Sequence, residues 1–566
     1  MREERTAPRR RATALAAAAA TVAALAILAG ACGGGDSTSS KGSTGADSSS
    51  VKGAGTDNEG TPRRGGKVTY GLEAETSGGF CLPDAQLAIS GIMVARAVYD
   101  TLTIPTADGF KGYLAESVTP NADYTQWTIK LRDGVEFHDG SPLTAQVVKN
   151  NIDADLGRYP GRNGLLGRFV FANIDTVTVT DPMTVTVTTK VPWPALPAYL
   201  YGGGRFGIIA QSQLDDPNTC DTKLVGTGPF KLDEWVVNDH LTVSRNPNYW
   251  AKDAQGRQLP YLDGIEFRPS PDSDARVNSL ASGQYDIVHA TGAESIKALE
   301  AERNDGNINL IQSLDNAEVE YMMFNTTKPP FDNQVAREAV ATALDRKLYN
   351  KVRNLDTSPL ASGGYPEGTP GHLPDAGFPG FDRNKARALA AQYEKETGQP
   401  LEFTYVFSGD AGSIATAQFV QEQMKAAGIT MKLRQLEQAA LINTALGNDW
   451  QLMPFRNFPG GVPDTNYVWW YGGSPVNFGK FDDPKVNELL DRGRGEADTA
   501  QQQATYGELN RQLNRQVYFV WLNNTEWNIG SSPEVHGIMG PELPGGILPA
   551  KGLATGHPLT GIWVDQ

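Results

Sequence analysis

The sequence predicts a mixed α/β protein of at least two lobes, and three observations carry that reading. The chain has 566 residues, and a single hydrophobic core stops growing at about 250–300 residues. Leu401, Phe403, Tyr405 and Phe407 alternate with polar neighbours, a helical pattern follows to about Ala427, and Ile429, Met431 and Leu433 alternate again. A strand–helix–strand run of this kind implies a parallel pair joined by a crossover helix. Val177, Val179, Val185 and Val187 flank Asp181-Pro182 in a threonine-rich stretch, which is a hairpin pattern and places antiparallel ribbon in the first half.

In chain order, residues 67–72 alternate as a half-buried strand and residues 84–98 read as a helix. Trp127, Ile129 and Leu131 mark another strand. Thr144 caps a helix that presents Val148, Ile152 and Leu156 on one side. Later, Val340, Leu344 and Leu348 predict one helix, and residues 384–395 predict another. Gly428 stops the helix before it. Asp483-Pro484 supplies a cap and first turn for a helix carrying Val486, Leu489 and Leu490. The tail is rich in Gly and Pro, and no repeat of fixed period appears.

The N-terminus carries its own information. Arg9, Arg10 and Arg11 precede an alanine-rich apolar run from Ala12 to Ala31 that ends at Cys32, the pattern of an export signal over residues 1–31. Leu28-Ala29-Gly30-Ala31-Cys32 resembles a bacterial lipobox, with Ala29 where Leu is usual. That resemblance implies lipidation of Cys32 and work at the outer face of the cell membrane; the alternative is an ordinary cleaved signal. Residues 32–64 are polar and Gly/Ser-rich and read as a flexible tether. The formal charge of -15 argues against nucleic acid as a partner. Cys81 and Cys220 remain for an oxidising compartment, where they are expected to form a disulfide; the alternative is two buried thiols. No metal-ligand spacing links the six histidines, so no metal or cofactor is expected.

No zinc-protease, Walker or nucleophile-elbow motif is present, so an enzyme is not expected. The run from Trp127 to Gly140, continuing through Ser141-Pro142-Leu143-Thr144-Ala145, closely resembles the signature of the family 5 extracellular solute-binding proteins. Gln146 stands where that family usually has an acid. His138 within it is read as bonding inside its own turn, not as catalytic. Further matches follow in the family's order: residues 97–102, 114–117, 226–230, 245–250, 280–286, 324–326, 330–331, 335–339 and 343–346.

The resemblance implies a two-lobed periplasmic-binding-protein-like fold of type II, in its large cluster C form, with an extra subdomain in the first lobe. The expected first lobe is 65–315, with the subdomain at about 110–235. The second lobe is expected at 316–524, and 525–566 returns to the first. It further implies a monomeric receptor that closes on a peptide-like solute and delivers it to ABC permease subunits at the membrane. The alternatives are an oligosaccharide or nickel-chelate receptor, or a sensory lipoprotein without a transport role. Peptide-binding relatives hold the ligand amine with an acid of the second lobe, which makes Asp464 the expected cationic anchor. Tyr467, Trp469 and Trp470 are candidates for a stacking wall, although neighbours on a strand would point opposite ways. Arg456, beside Phe455, could clamp a carboxylate. Glu73, Glu75 and Thr76 follow the first strand, where relatives reach the ligand. The Tyr201–Arg205 run holds three consecutive glycines and could approach a ligand or move on closure.

Overall fold

In a computed structural model, residues 52–53, 60–76, 78–85, 87–457, 461–550, 552 and 558–565 are described. The expected signal, Cys32, most of the tether and His557 lie outside them. The main sheet runs in the order Thr430–Leu436, Glu402–Ser408, Leu452–Asn457, Asn309–Phe324, Phe519–Ser531, Ile287–Ala290, Lys67–Leu72, Gly264–Pro269, His240–Arg245, Phe230–Val236. A separate four-stranded sheet holds Ala115–Pro120, Gln126–Leu131, Thr184–Thr189 and Ile174–Asp181.

Two long antiparallel strands, Asn309–Phe324 and Phe519–Ser531, belong to both halves of the main sheet. Their register breaks between Ser313 and Glu318. On one side of the break, the Phe519–Ser531 strand pairs with Ile287–Ala290. On the other, Asn309–Phe324 pairs with Leu452–Asn457. A broken ladder loses hydrogen bonds locally and bends the strand there. Lys52 and Gly53, expected in the tether, instead pair with Gln312 and Ile311. Leu452–Asn457 leaves that edge uncovered, and an open strand edge accepts any extended segment.

Most predicted elements form as read. Glu402–Ser408 and Thr430–Leu436 pair in parallel with the helix Ala411–Ala426 between them, and the hairpin turns at Asp181–Thr184. The Thr144 hydroxyl accepts from Val147 N at 3.4 Å. The helix predicted through Val340, Leu344 and Leu348 is two helices, Gln334–Ala343 and Arg346–Arg353. Asp345 starts the second by accepting from Leu348 N at 3.0 Å, because an aspartate satisfies free helix N–H groups best from outside the helix. Likewise 84–98 begins later, at Ile89, after a short 3-10 turn.

His138 does not bond within its own turn. Its Nε2 lies 3.0 Å from Gly228 O, and Gly226 N donates to its Nδ1 at 3.4 Å. These partners require a neutral ring with the proton on Nε2; burial pushes its pKa down to about 4. His138 therefore clamps the signature segment onto the Gly226–Phe230 loop. Cys81 and Cys220 form a disulfide across 139 residues.

Candidate functional site

Where the register breaks, side chains from both halves converge. Glu73 follows the strand Lys67–Leu72, and its carboxylate lies 3.0 Å from His289 Nε2 on the strand Ile287–Ala290. Across the break, Arg456 near the end of Leu452–Asn457 forms an ion pair with Glu318, its Nε 2.8 Å from the carboxylate. Its Nη1 reaches Thr291 Oγ1 of the first half at 3.2 Å. Antiparallel register sets Glu320 opposite Arg456, so Glu318, Glu320 and Arg456 share one face of the ladder.

The electrostatics follow from this crowding. Burial works against the charge on Glu73, yet His289, Arg456 and Arg276 outweigh it and hold its pKa far below the usual carboxylate range. Burial also disfavours charge on Arg456, but Glu318, Glu73 and Glu320 raise its pKa. Glu318 and Glu320 are pushed up, chiefly by burial and against the pull of Arg456. The result is a firmly ionised acid on one half and a firmly ionised guanidinium on the other.

Phe455 faces the opposite way from Arg456, as strand alternation demands. It meets Phe478 edge-on at 5.3 Å, and Trp469 packs tilted on the same Phe478 at 5.9 Å. Both are half-buried. Tyr467–Trp470 is one helical turn, not a strand. Its geometry sends Trp470 into the core, 2% exposed between Tyr365 and Trp521. Trp470 is therefore a packing residue, contrary to expectation. Tyr467 donates to Asp491 at 2.8 Å and lies under the Arg494 guanidinium at 3.3 Å.

Asp464 departs most from expectation. It is 3% exposed and already holds a cation, Arg494, whose Nε is 3.1 Å from its Oδ1. Its Oδ2 accepts from Trp193 Nε1 at 2.8 Å. A carboxylate so paired and desolvated has no strong site left for a ligand amine, so the anchor assignment is corrected. Gly460, which precedes it in the same stretch, lies outside the described residues.

Glu75 spends its oxygens on Thr76 N at 2.7 Å and Asn238 N at 2.6 Å, which organises its loop. Thr76 packs where a Cβ on Gly91 would come within 2.9 Å of its hydroxyl. Of the three residues after the first strand, only Glu73 joins the charged cluster. His289, Thr291, Glu318 and Glu320 were not anticipated. Alternation of Glu318 and Glu320 with Val319 and Tyr321 was the available signal, since acids on the inner face of a sheet need a reason.

The chain can be compared with known proteins at this point. Residues 109–479 match the model for bacterial extracellular solute-binding proteins, family 5 Middle. The glutathione-binding protein GsiB of Escherichia coli (strain K12) is 30% identical over 398 residues, which are 66% of this chain and 74% of that protein. The binding protein AgaA of A. tumefacien R10, solved with agropinic acid, superimposes with a TM-score of 0.76 at 25% identity, covering 88% of this chain and 99% of that one. DppA of Helicobacter pylori, solved with the peptide STSA, gives a TM-score of 0.77 at 19% identity over 89% of this chain and 99% of that one. The two halves bridged by long shared strands are the two lobes of such binding proteins. The chain belongs to the bacterial extracellular solute-binding proteins, family 5.

Proposed function

We propose that this chain is the extracytoplasmic receptor of an ABC importer and captures a short peptide-like solute between its lobes. The observation that carries the ligand class is the opposed pair of held charges, Glu73 on the first lobe and Arg456 on the second. A zwitterion satisfies both at once, and closure removes the water that would otherwise screen them. Arg456 presents the planar fork that suits a carboxylate. Asp464 plays no part in holding the ligand amine; Glu73 takes that role. Glutathione, an anionic peptide and the named ligand of GsiB, is the first solute to test.

Calorimetric titration of the purified protein with glutathione, di- and tripeptides, opines, oligosaccharides and nickel chelates tests the reading. A short peptide should bind, and Arg456→Ala should weaken it roughly tenfold to a hundredfold, the worth of a charge-assisted hydrogen bond. Arg456→Lys should fall between. Binding confined to a sugar or a chelate would sink the peptide assignment and leave the receptor role standing.

The lipid anchor at Cys32 belongs to the same proposal. The export-like run and lipobox-like residues before it support the anchor. Labelled palmitate should enter the native protein and not Cys32→Ala, which should appear free of the membrane. The receptor needs one chain only, so light scattering should report a monomer.

A further inference from the structure

Arg494 and Asp464 form a buried ion pair within the second lobe, and three hydrogen bonds reach that pair from the first half. Trp193 Nε1 donates to Asp464 Oδ2 at 2.8 Å. The Tyr199 hydroxyl donates to Asp464 O at 2.6 Å and accepts from Arg494 Nη2 at 3.3 Å. The Trp193 and Tyr199 rings lean on each other at 4.5 Å and lie 5.4 and 6.0 Å from the guanidinium. All four side chains are at most 7% exposed. From this geometry we infer that Trp193 and Tyr199 are a latch that engages the Asp464–Arg494 pair and holds the two lobes closed.

The division of partners favours a latch over fixed packing. The ionic bond stays within one lobe, so opening strands no unpaired charge in the interior, which would cost several kcal/mol. Opening frees Asp464 Oδ2 and its carbonyl, the Trp193 Nε1 and Tyr199 hydroxyl donors and Arg494 Nη2, each of which water can satisfy, and uncovers the buried Trp193 and Tyr199 rings. Each such bond then contributes a modest net stabilisation, small enough for a reversible motion.

The latch is also wired to the cleft. The helix Leu196–Tyr201 that carries Tyr199 ends in Gly202, Gly203 and Gly204, with φ of 52°, 70° and 88°. A Cβ on Gly202 would lie 2.2 Å from the Phe206 ring, so this left-handed run requires glycine. The next residue, Arg205, feels the charge of Glu318, the partner of Arg456. A ligand that draws on Arg456 and Glu318 thus acts within one turn of the latch helix. The inference rests on the two-lobe receptor reading, and the latch makes Trp193 and Tyr199 positioning residues for closure rather than ligand contacts.

The test is made without ligand, so that failure of the peptide assignment leaves it intact. Spin labels at Thr178→Cys, on the hairpin of the separate sheet, and Glu422→Cys, on the helix Ala411–Ala426, report the interlobe distance, with the Cys81–Cys220 disulfide kept. Wild type should show a short-distance population. The double variant Trp193→Phe/Tyr199→Phe keeps an aromatic ring at each position and the Asp464–Arg494 pair. It should lose that population by roughly tenfold for each lost hydrogen bond. If the double variant does not fold by circular dichroism, Tyr199→Phe alone, lacking one hydroxyl, should still shift the ratio roughly tenfold. An unchanged distance distribution in the folded variant, or a wild type with no short-distance population, overturns the latch.

Discussion

At the residue scale, the chemistry of this protein turns on which charged side chains find partners. Asp464 and Arg456 looked alike in sequence, each a charged residue near aromatics late in the chain. Asp464 is sealed against Arg494, whereas Arg456 stays partly open beside Glu318, with a side chain 35% exposed. Replacing Asp464 with Asn should therefore destabilise the fold by about 3–5 kcal/mol, the cost of leaving a buried cation uncompensated; chemical denaturation measures it. Asp155 offers the reverse case. It is 8% exposed, and burial, reinforced by repulsion from Asp84, pushes its carboxyl well above the usual range. In the unfolded chain it ionises near pH 4, so the folded state holds a proton that the unfolded state has lost. Its contribution to stability is present below about pH 4 and is lost as pH rises towards the folded pKa. Asp155→Asn should raise the melting temperature at pH 7 and leave it unchanged at pH 3 in scanning calorimetry.

At the element scale, local rules predicted where strands and helices begin, and failed where a cap interrupted a continuous apolar pattern. Val340, Leu344 and Leu348 keep helical spacing across Asp345, yet the chain stops and restarts there. Because Asp345 caps the second helix through Leu348 N, Asp345→Ala should cost about 1 kcal/mol in equilibrium unfolding. Asp483 is a heavier case of the same device. It caps Lys485 and Val486 and also accepts from Gln512 and Tyr518. The Tyr467–Trp470 turn shows how element type decides a residue's role: as a helix it buries Trp470 and leaves Trp469 half-exposed.

At the scale of the whole molecule, two shared strands with a broken register join the lobes, and a disulfide ties the loop after the first strand to the region near residue 220. Cross-linking 139 residues apart removes much unfolded-state freedom, and the chain-entropy estimate is about 5 kcal/mol. Reduction, or Cys81→Ser with Cys220→Ser, should lower the melting temperature accordingly, with little change in ligand affinity. Only the first lobe holds this bond, so it constrains folding and not closure. The proposed bridging of Glu73 and Arg456 by ligand predicts a smaller radius of gyration on binding, measurable by small-angle scattering.

Most of the fold was legible in the sequence, because helix and strand periods are local and the family's blocks lie in their usual order. Glu73 was nominated from its place after the first strand and Arg456 from the family resemblance; that the two charges lie near each other was not legible in the sequence. The sequence by itself determined these periods, the turn residues, the family and the types of charge available at the cleft. The tertiary structure alone decided which polar groups meet: Glu73 with His289, Arg456 with Glu318, and Asp464 with Arg494 and Trp193, the last of these 271 residues away. The physical reason is range. Backbone sterics and side-chain alternation act over a few residues, whereas an ion pair forms wherever the packing of distant elements brings two charges together and shields them from water.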